Sequence, residues 1–221
     1  MRRITGAAFV SLDGVMQAPG GPEEDPTGGF ELGGWLAGFF DEEIGERIDA
    51  LFEPPFDLLL GRRTYDIFAA YWPFNADEPG GIGQKFDAAA KYVVTRGGQA
   101  LDWRNSHRLE SLEAVAEMKR GEGPDLVIQG SSTLYPQLLG AGLIDRLVLM
   151  IFPVVLGSGK RLFGEGTSPG AMRLVEHRVT ARGNIVAAYE PHGPVQPGSF
   201  ATGEPSAAET ERQAKIREGC W

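Results

Sequence analysis

Four short apolar runs in this chain each stop at a cluster of glycine, hydroxyl or basic residues. "FDLLL" stops at Gly61-Arg62-Arg63-Thr64, "KYVVT" at Arg96-Gly97-Gly98, "PDLVIQ" at Gly130-Ser131-Ser132-Thr133, and "IDRLVLMIFPVVL" at Gly157-Ser158-Gly159-Lys160-Arg161. Apolar runs this short and continuous read as strands buried on both faces. The stretches between them carry helical spacing. Phe40, Ile44, Ile48, Leu51 and Phe52 recur on one face, with acids in the first turn, and a short helix is expected over 64–70. Residues 109–120 are amphipathic through Leu112, Val115, Ala116 and Met118. "SSTLYPQLLGAGL" should become helical near Ser132 or Thr133, because Pro136 fits only a first turn. Residues 2–11 alternate loosely as a first strand, and "MRLVEHRVTARGNIVAAYEP" reads as a hairpin turning at Arg182-Gly183-Asn184. Strands alternating with helices, then a closing hairpin, predict an α/β fold with a mostly parallel central sheet and an antiparallel C-terminal hairpin.

Residues 12–37 are crowded with glycine and proline and form a long expected loop, the kind that is usually functional or disordered. "FNADEPGGIG" is a second expected loop. Composition shifts after Pro191, which divides the chain into a domain over 1–191 and a linker with a helical appendage over 192–221. In the appendage Ser206 and Glu209 form a capping box, and Trp221 is the expected anchor. A chain of 221 residues with 42% hydrophobic residues can bury one proper core. The net charge of −9 argues against nucleic acid as a partner, since phosphate binding needs a basic face. Cys220 is the only cysteine, so no disulfide within the chain and no cysteine metal cluster is possible. His107, His177 and His192 have no metal-ligand spacing, and no metal is expected. The longest apolar run is too short to cross a bilayer, which leaves a reducing cytoplasm as the default location.

Familiar nucleotide motifs fail on inspection. Gly157 to Arg161, "GSGKR", lacks the earlier P-loop glycine, its region being occupied by Val154 and Val155, and Arg161 stands where a magnesium-binding hydroxyl belongs. A dinucleotide fingerprint fails as well. Gly157 and Gly159 are followed by Leu162 at the third glycine position, and Gly164 and Gly166 by Pro169. No Gly-x-Ser-x-Gly elbow is present.

The accumulation of polar strand ends is informative nonetheless. Ligands of open α/β sheets bind beyond the carboxyl ends of strands. There glycine admits a phosphate close to the backbone, free helix N–H groups bond it, and arginine neutralises it. Four such ends fit an elongated ligand with more than one phosphate, a dinucleotide held without the usual fingerprint.

"LLLGRRTYDIF", "KYVVTR", "VIQGSSTLYPQLLGAGLIDRLVL", "FPVVLGSGKRLF" and the early "SLDGVM" together resemble the dihydrofolate reductase-like superfamily. They are most similar to the reductase half of the bifunctional deaminase–reductase of riboflavin biosynthesis and its stand-alone relatives, over about residues 3–190. The resemblance implies NADPH as cofactor. It places Gly61, Arg62, Arg63 and Thr64 at a phosphate and Thr95 and Arg96 around the 2′-phosphate of the adenosine ribose. Gly130, Ser131, Ser132, Thr133 and Leu134 cradle the pyrophosphate, with Gly157 and Gly159 nearby. Asp13 and Gly14 fall where the family shapes the nicotinamide and substrate end. The implied reaction is reduction of a ribosylamino side chain to ribitylamino, as with 5-amino-6-(5-phosphoribosylamino)uracil, and the implied assembly is a homodimer. Two departures stand out. Gln129 replaces the first of the two adjacent glycines of dihydrofolate reductases, and no spacing singles out one folate-binding acid among Asp41, Glu42, Glu43, Glu46 and Asp49. Lys160 and Arg161 are candidates for a substrate phosphate, and Trp35, Phe39, Trp72 and Phe152 for stacking on a heterocycle. No catalytic residue is identified. Reduction of a dihydrofolate or pterin, and NADPH binding without turnover, are the alternative readings.

Overall fold

β1 (Ile4–Ser11) is the hub of the sheet: it pairs in parallel with β5 (Asp125–Gln129) on one side and β6 (Arg146–Phe152) on the other. The computed structural model describes residues 1–76 and 79–220, so Trp221 lies outside the described residues, as do Asp77 and Glu78 of the second expected loop. Beyond β5 come β2 (Phe56–Gly61), β3 (Lys91–Val94) and β4 (Ser106–Leu109), all parallel. Beyond β6 come β8 (Ile185–Pro191) and β7 (Met172–Val179), both antiparallel. The order β4-β3-β2-β5-β1-β6-β8-β7 therefore gives the α/β sheet expected from the alternating pattern, closed by a hairpin at one edge.

The helices are α1 (Glu42–Leu51), α2 (Arg62–Tyr71), α3 (Ile82–Ala88), α4 (Leu112–Arg120), α5 (Leu134–Gly140) and α6 (Ala207–Arg217). Strand residues alternate between two layers, as the period-two geometry of a strand requires. In β6, Leu147 and Leu149 join a cluster with Leu134, Tyr135 and Leu138 of α5. Val148, Met150 and Phe152 of the same strand face Trp35, Leu36 and Ile44 on the other side. A third cluster gathers Phe52, Leu58, Leu60, Tyr65, Phe86 and Trp103 under α2 and α3.

Two expectations are corrected here. Residues 106–109 form strand β4 and the following helix begins only at Leu112, where Ser111 caps it by accepting from the Ala114 N–H at 3.3 Å. The stretch expected as loop through Gly83 already turns helical at Ile82.

Two polar fastenings matter below. Asp41 caps α1 by accepting from the Ile44 N–H (2.9 Å), while its other oxygen accepts from Thr180 Oγ1 (2.7 Å) and Asn184 Nδ2 (2.9 Å) of the hairpin turn. Lys91 is fully buried; its Nζ donates to the carbonyls of Asp87 (2.9 Å) and Ala89 (3.0 Å) and lies 4.0 Å from the centre of the Trp103 ring. Burial pushes its pKa down to about 8. α6 buries none of its residues, and the chain from 193 to 206 is exposed throughout.

Candidate active site

The β2–α2 and β5–α5 junctions are joined by one side chain. Ser131 Oγ accepts from the Gly61 N–H at 2.8 Å and donates to Thr64 Oγ1 at 2.9 Å. Ser131 reaches this position in the left-handed region (φ 68°), directly after Gly130 at φ 80°. A Cβ at Gly130 would lie 3.1 Å from the Thr64 methyl, so a side chain there meets both backbone strain and a tight neighbour. α2 starts at Gly61 without a side-chain cap and carries no acid in its first turn. The first N–H groups of a helix have no partner inside it, and the positive end of the dipole adds to them.

These junctions form one end of a cleft of about 1100 Å³, with Gly61, Arg63, Thr64 and Gly130 to Thr133 on its wall. Gln129 also lines it, and Gln129 Oε1 is buried with no partner among the described residues. The rest of the anion-binding set divides by position. The Arg62 side chain lies outside the cleft lining: it bonds Asp66 and the carbonyls of Gln99 (3.2 Å) and Ala100 (3.0 Å). Thr95 and exposed Arg96 sit past the end of β3, with Thr95 Oγ1 accepting from the Gly97 N–H at 3.2 Å. Leu134 is buried in the core, and its N–H donates to the Ser131 carbonyl.

Asp13 and Gly14 lie under the segment after β6 and do not line the cleft. The Asp13 carboxylate accepts from Ser11 Oγ (2.6 Å) and from the N–H groups of Leu156 (3.1 Å) and Gly157 (2.9 Å). The Ser11 hydrogen bond, followed by that from Leu156, holds its pKa down at about 2. Arg161 pairs with Asp13 at 3.6 Å and donates to its carbonyl at 2.6 Å. Gly159 backs onto Val15 and Phe30 in the core.

Sequence reasoning missed what fixes the long loop. Buried Gln17 donates from Nε2 to the carbonyls of Asp25 and Thr27, both at 2.8 Å, and accepts from the Lys160 N–H at 2.9 Å. Lys160 Nζ bonds the Asp25 carboxylate and Thr27 Oγ1, and Arg63 lies 4.0 Å from Asp25. Burial raises the Asp25 pKa, but the bonds from Lys160 and Thr27 outweigh it and the net shift is downward. Its neighbour Glu24 lines the cleft, and burial, the largest influence on it, pushes its pKa up. No local motif announces this clasp, because its members are spread over more than 140 residues.

The opposite end of the cleft is walled by Leu36, Ile48, Phe52, Phe68 and Trp72. Of the aromatic residues considered for stacking, Trp72 lines the cleft; Trp35, Phe39 and Phe152 pack in the core.

A mostly parallel sheet closed at one edge by an antiparallel hairpin, with two glycine-containing strand ends meeting at a cleft, is an α/β fold whose cleft lies where such sheets bind ligands. Comparison with known proteins agrees: residues 2–186 match the RibD C-terminal domain family, and the chain belongs to it. The uncharacterized protein YyaP of Bacillus subtilis is 27% identical over 199 residues, spanning 87% of this chain and 96% of its own length. The uncharacterized protein YwjB of the same organism is 26% identical over 169 residues, spanning 75% and 84%. Among solved structures, a Shewanella sp. PV-4 protein provisionally assigned to riboflavin biosynthesis superposes with a TM-score of 0.63 at 21% identity, over 86% of this chain and 99% of that one. A pyrimidine reductase-like protein of Corynebacterium diphtheriae superposes with a TM-score of 0.54 at 13% identity, over 86% and 92%. No helix among the described residues is long and apolar enough to cross a membrane.

Proposed function

We propose that the chain is an NADPH-dependent reductase of a small heterocycle. The observation that carries this reading is the joining of two strand ends at one cleft: Ser131 ties the uncapped start of α2 to the Gly130–Thr133 turn. The residues present fit the cofactor. Free N–H groups and Arg63 suit phosphate, and the glycine at 130 keeps the wall close to backbone. Arg96 beyond β3, where an acid would favour NAD, supports NADPH. When bound, NADPH supplies the hydride. The chain's own part is to hold and orient both ligands and exclude water, with the clasped loop from Gln17 to Thr27 as one wall.

A homodimer through β7 is part of the same reading. That strand is an edge, and Leu174, Val175 and Val179 on it are 46%, 39% and 60% exposed. The test is titration with NADPH and NADH, followed by nicotinamide fluorescence. We expect preference for NADPH and loss of about tenfold or more of that preference in Arg96→Ala, as a charge-assisted bond would give. Binding of neither nucleotide overturns the reading.

A further inference from the structure

The cleft is polarised along α2. Thr64 lies in the first turn of the helix and Trp72 just past its last, which at 1.5 Å per residue puts about 12 Å between them. The phosphate-binding features are all at the start of α2. The far end is built differently. Phe68 and Trp72 pack edge to face with centroids 6.1 Å apart, Trp72 and Phe86 do so at 5.1 Å, and Ile48 and Phe52 of the α1 terminus complete the wall. Planar apolar walls of this kind suit a flat ring.

Charge at that end runs against an anion. Five carboxylates line the cleft, Glu23, Glu24, Asp25, Asp49 and Asp66, against two cations, Arg63 and Lys160. Both cations face Asp25 at the other end. Among the described residues lining the far end there is no lysine or arginine, while Asp49, in the last turn of α1, lies on it. Asp66 sits nearer the start of α2 and is paired with Arg62. Two helices, α1 and α2, also end there, presenting the negative ends of their dipoles, and only the seven-residue α3 begins there. A phosphate is recognised by arginine, lysine or the start of a helix, and this end withholds the first two and offers the third only at the short α3, against the ends of α1 and α2.

We propose that the acceptor held at the far end is a flat heterocycle without a phosphate group, neutral or cationic. The proposal rests on the reductase reading and departs from the phosphorylated acceptor that the riboflavin-pathway reaction uses. The specificity determinants are Asp49 and the aromatic wall at Trp72.

A matched pair tests it: 5-amino-6-(ribosylamino)uracil and its 5-phosphate, titrated calorimetrically into the full chain with and without NADP⁺. The phosphate-free compound should bind at least about tenfold more tightly. Trp72→Ala should weaken it about tenfold, and Asp49→Lys should narrow the gap between the pair by improving the phosphate ester. Equal or tighter binding of the phosphate ester by the unmodified chain overturns the proposal, and so does failure of both compounds to bind. NADPH titration of the same preparation separates the two levels. NADPH binding without acceptor binding refutes this inference alone, whereas absent NADPH binding refutes the reductase reading whichever acceptor binds.

Discussion

Replacing Ser131 by alanine removes a side chain that joins the β2–α2 and β5–α5 junctions. The Gly61 N–H, buried at the end of β2, loses its acceptor at 2.8 Å, and Thr64 Oγ1 loses a donor at 2.9 Å. A buried donor left unpaired costs about 1–3 kcal/mol, and the more accessible Thr64 hydroxyl can turn to water at little cost. For a domain of this size each kcal/mol lowers Tm by about 2–4 °C, so Ser131→Ala should lower Tm by about 2–12 °C. The backbone supplies an internal control. Ser131 has φ 68°, a conformation that costs a non-glycine residue roughly 1–2 kcal/mol, and Ser131→Gly relieves that cost while losing the same bonds. The stability order should therefore be serine, then glycine or near it, then alanine. Thermal and urea unfolding of the three proteins measure this order, and a double-mutant cycle with Thr64→Val should show a coupling of about 0.5–1 kcal/mol. An alanine variant as stable as the parent, or more stable than the glycine variant, would refute the reasoning. NADPH affinity should fall in the same alanine variant, because the two strand ends lose their fixed spacing.

Further predictions follow from other features. Asp13, held at about 2, stabilises the fold above the ordinary carboxylate pKa of about 4. That contribution disappears as pH falls from about 4 to 2, so the urea midpoints of the parent and Asp13→Asn should converge over this window. Lys91 is shifted in the same direction, but there burial penalises the charged form. Its folded pKa of about 8 lies below the unfolded value of about 10.4, so the fold should gain stability as pH rises from about 8 to 10, and Lys91→Met should lose that gain. Gln17→Ala opens the clasp on the long loop, and limited proteolysis between residues 17 and 30 should accelerate while the sheet stays folded. A chain ending at residue 193 should keep its Tm within about 2 °C, since it retains the backbone bonds of His192 and Gly193 to Ala171 and α6 buries nothing.

The sheet was readable where burial is two-sided. β2, with all six residues buried, is apolar except for Asp57, which pairs with Arg2, and the glycine that ends it marks the helix start. β4 was not readable, because "SHRL" is a half-exposed edge strand with one apolar residue, and its identity comes from pairing with β3. The start of α3 was hidden by Gly83. That residue reads as a loop glycine, but a Cβ there would sit 2.4 Å from the Asn75 carbonyl, so close packing of the chain demands it inside a helix. At the site, glycines and hydroxyls at strand ends were visible as a pattern, whereas Ser131 as a crosslink and Gln17 as a clasp are tertiary facts. The acidic lining of the cleft was equally invisible, since Asp49 and Asp66 belong to different helices and come to line one space only on folding.

The central place of β1 has a consequence for biosynthesis. Its partners begin more than a hundred residues later, with Ile4 opposite Leu126 and Thr5 opposite Arg146. At about 5–20 residues per second, the ribosome delivers the first partner roughly 6–24 s after the strand itself. Throughout that interval "ITGAAFVS" is an apolar strand with neither neighbour made, the segment of the nascent chain with most to gain from a chaperone.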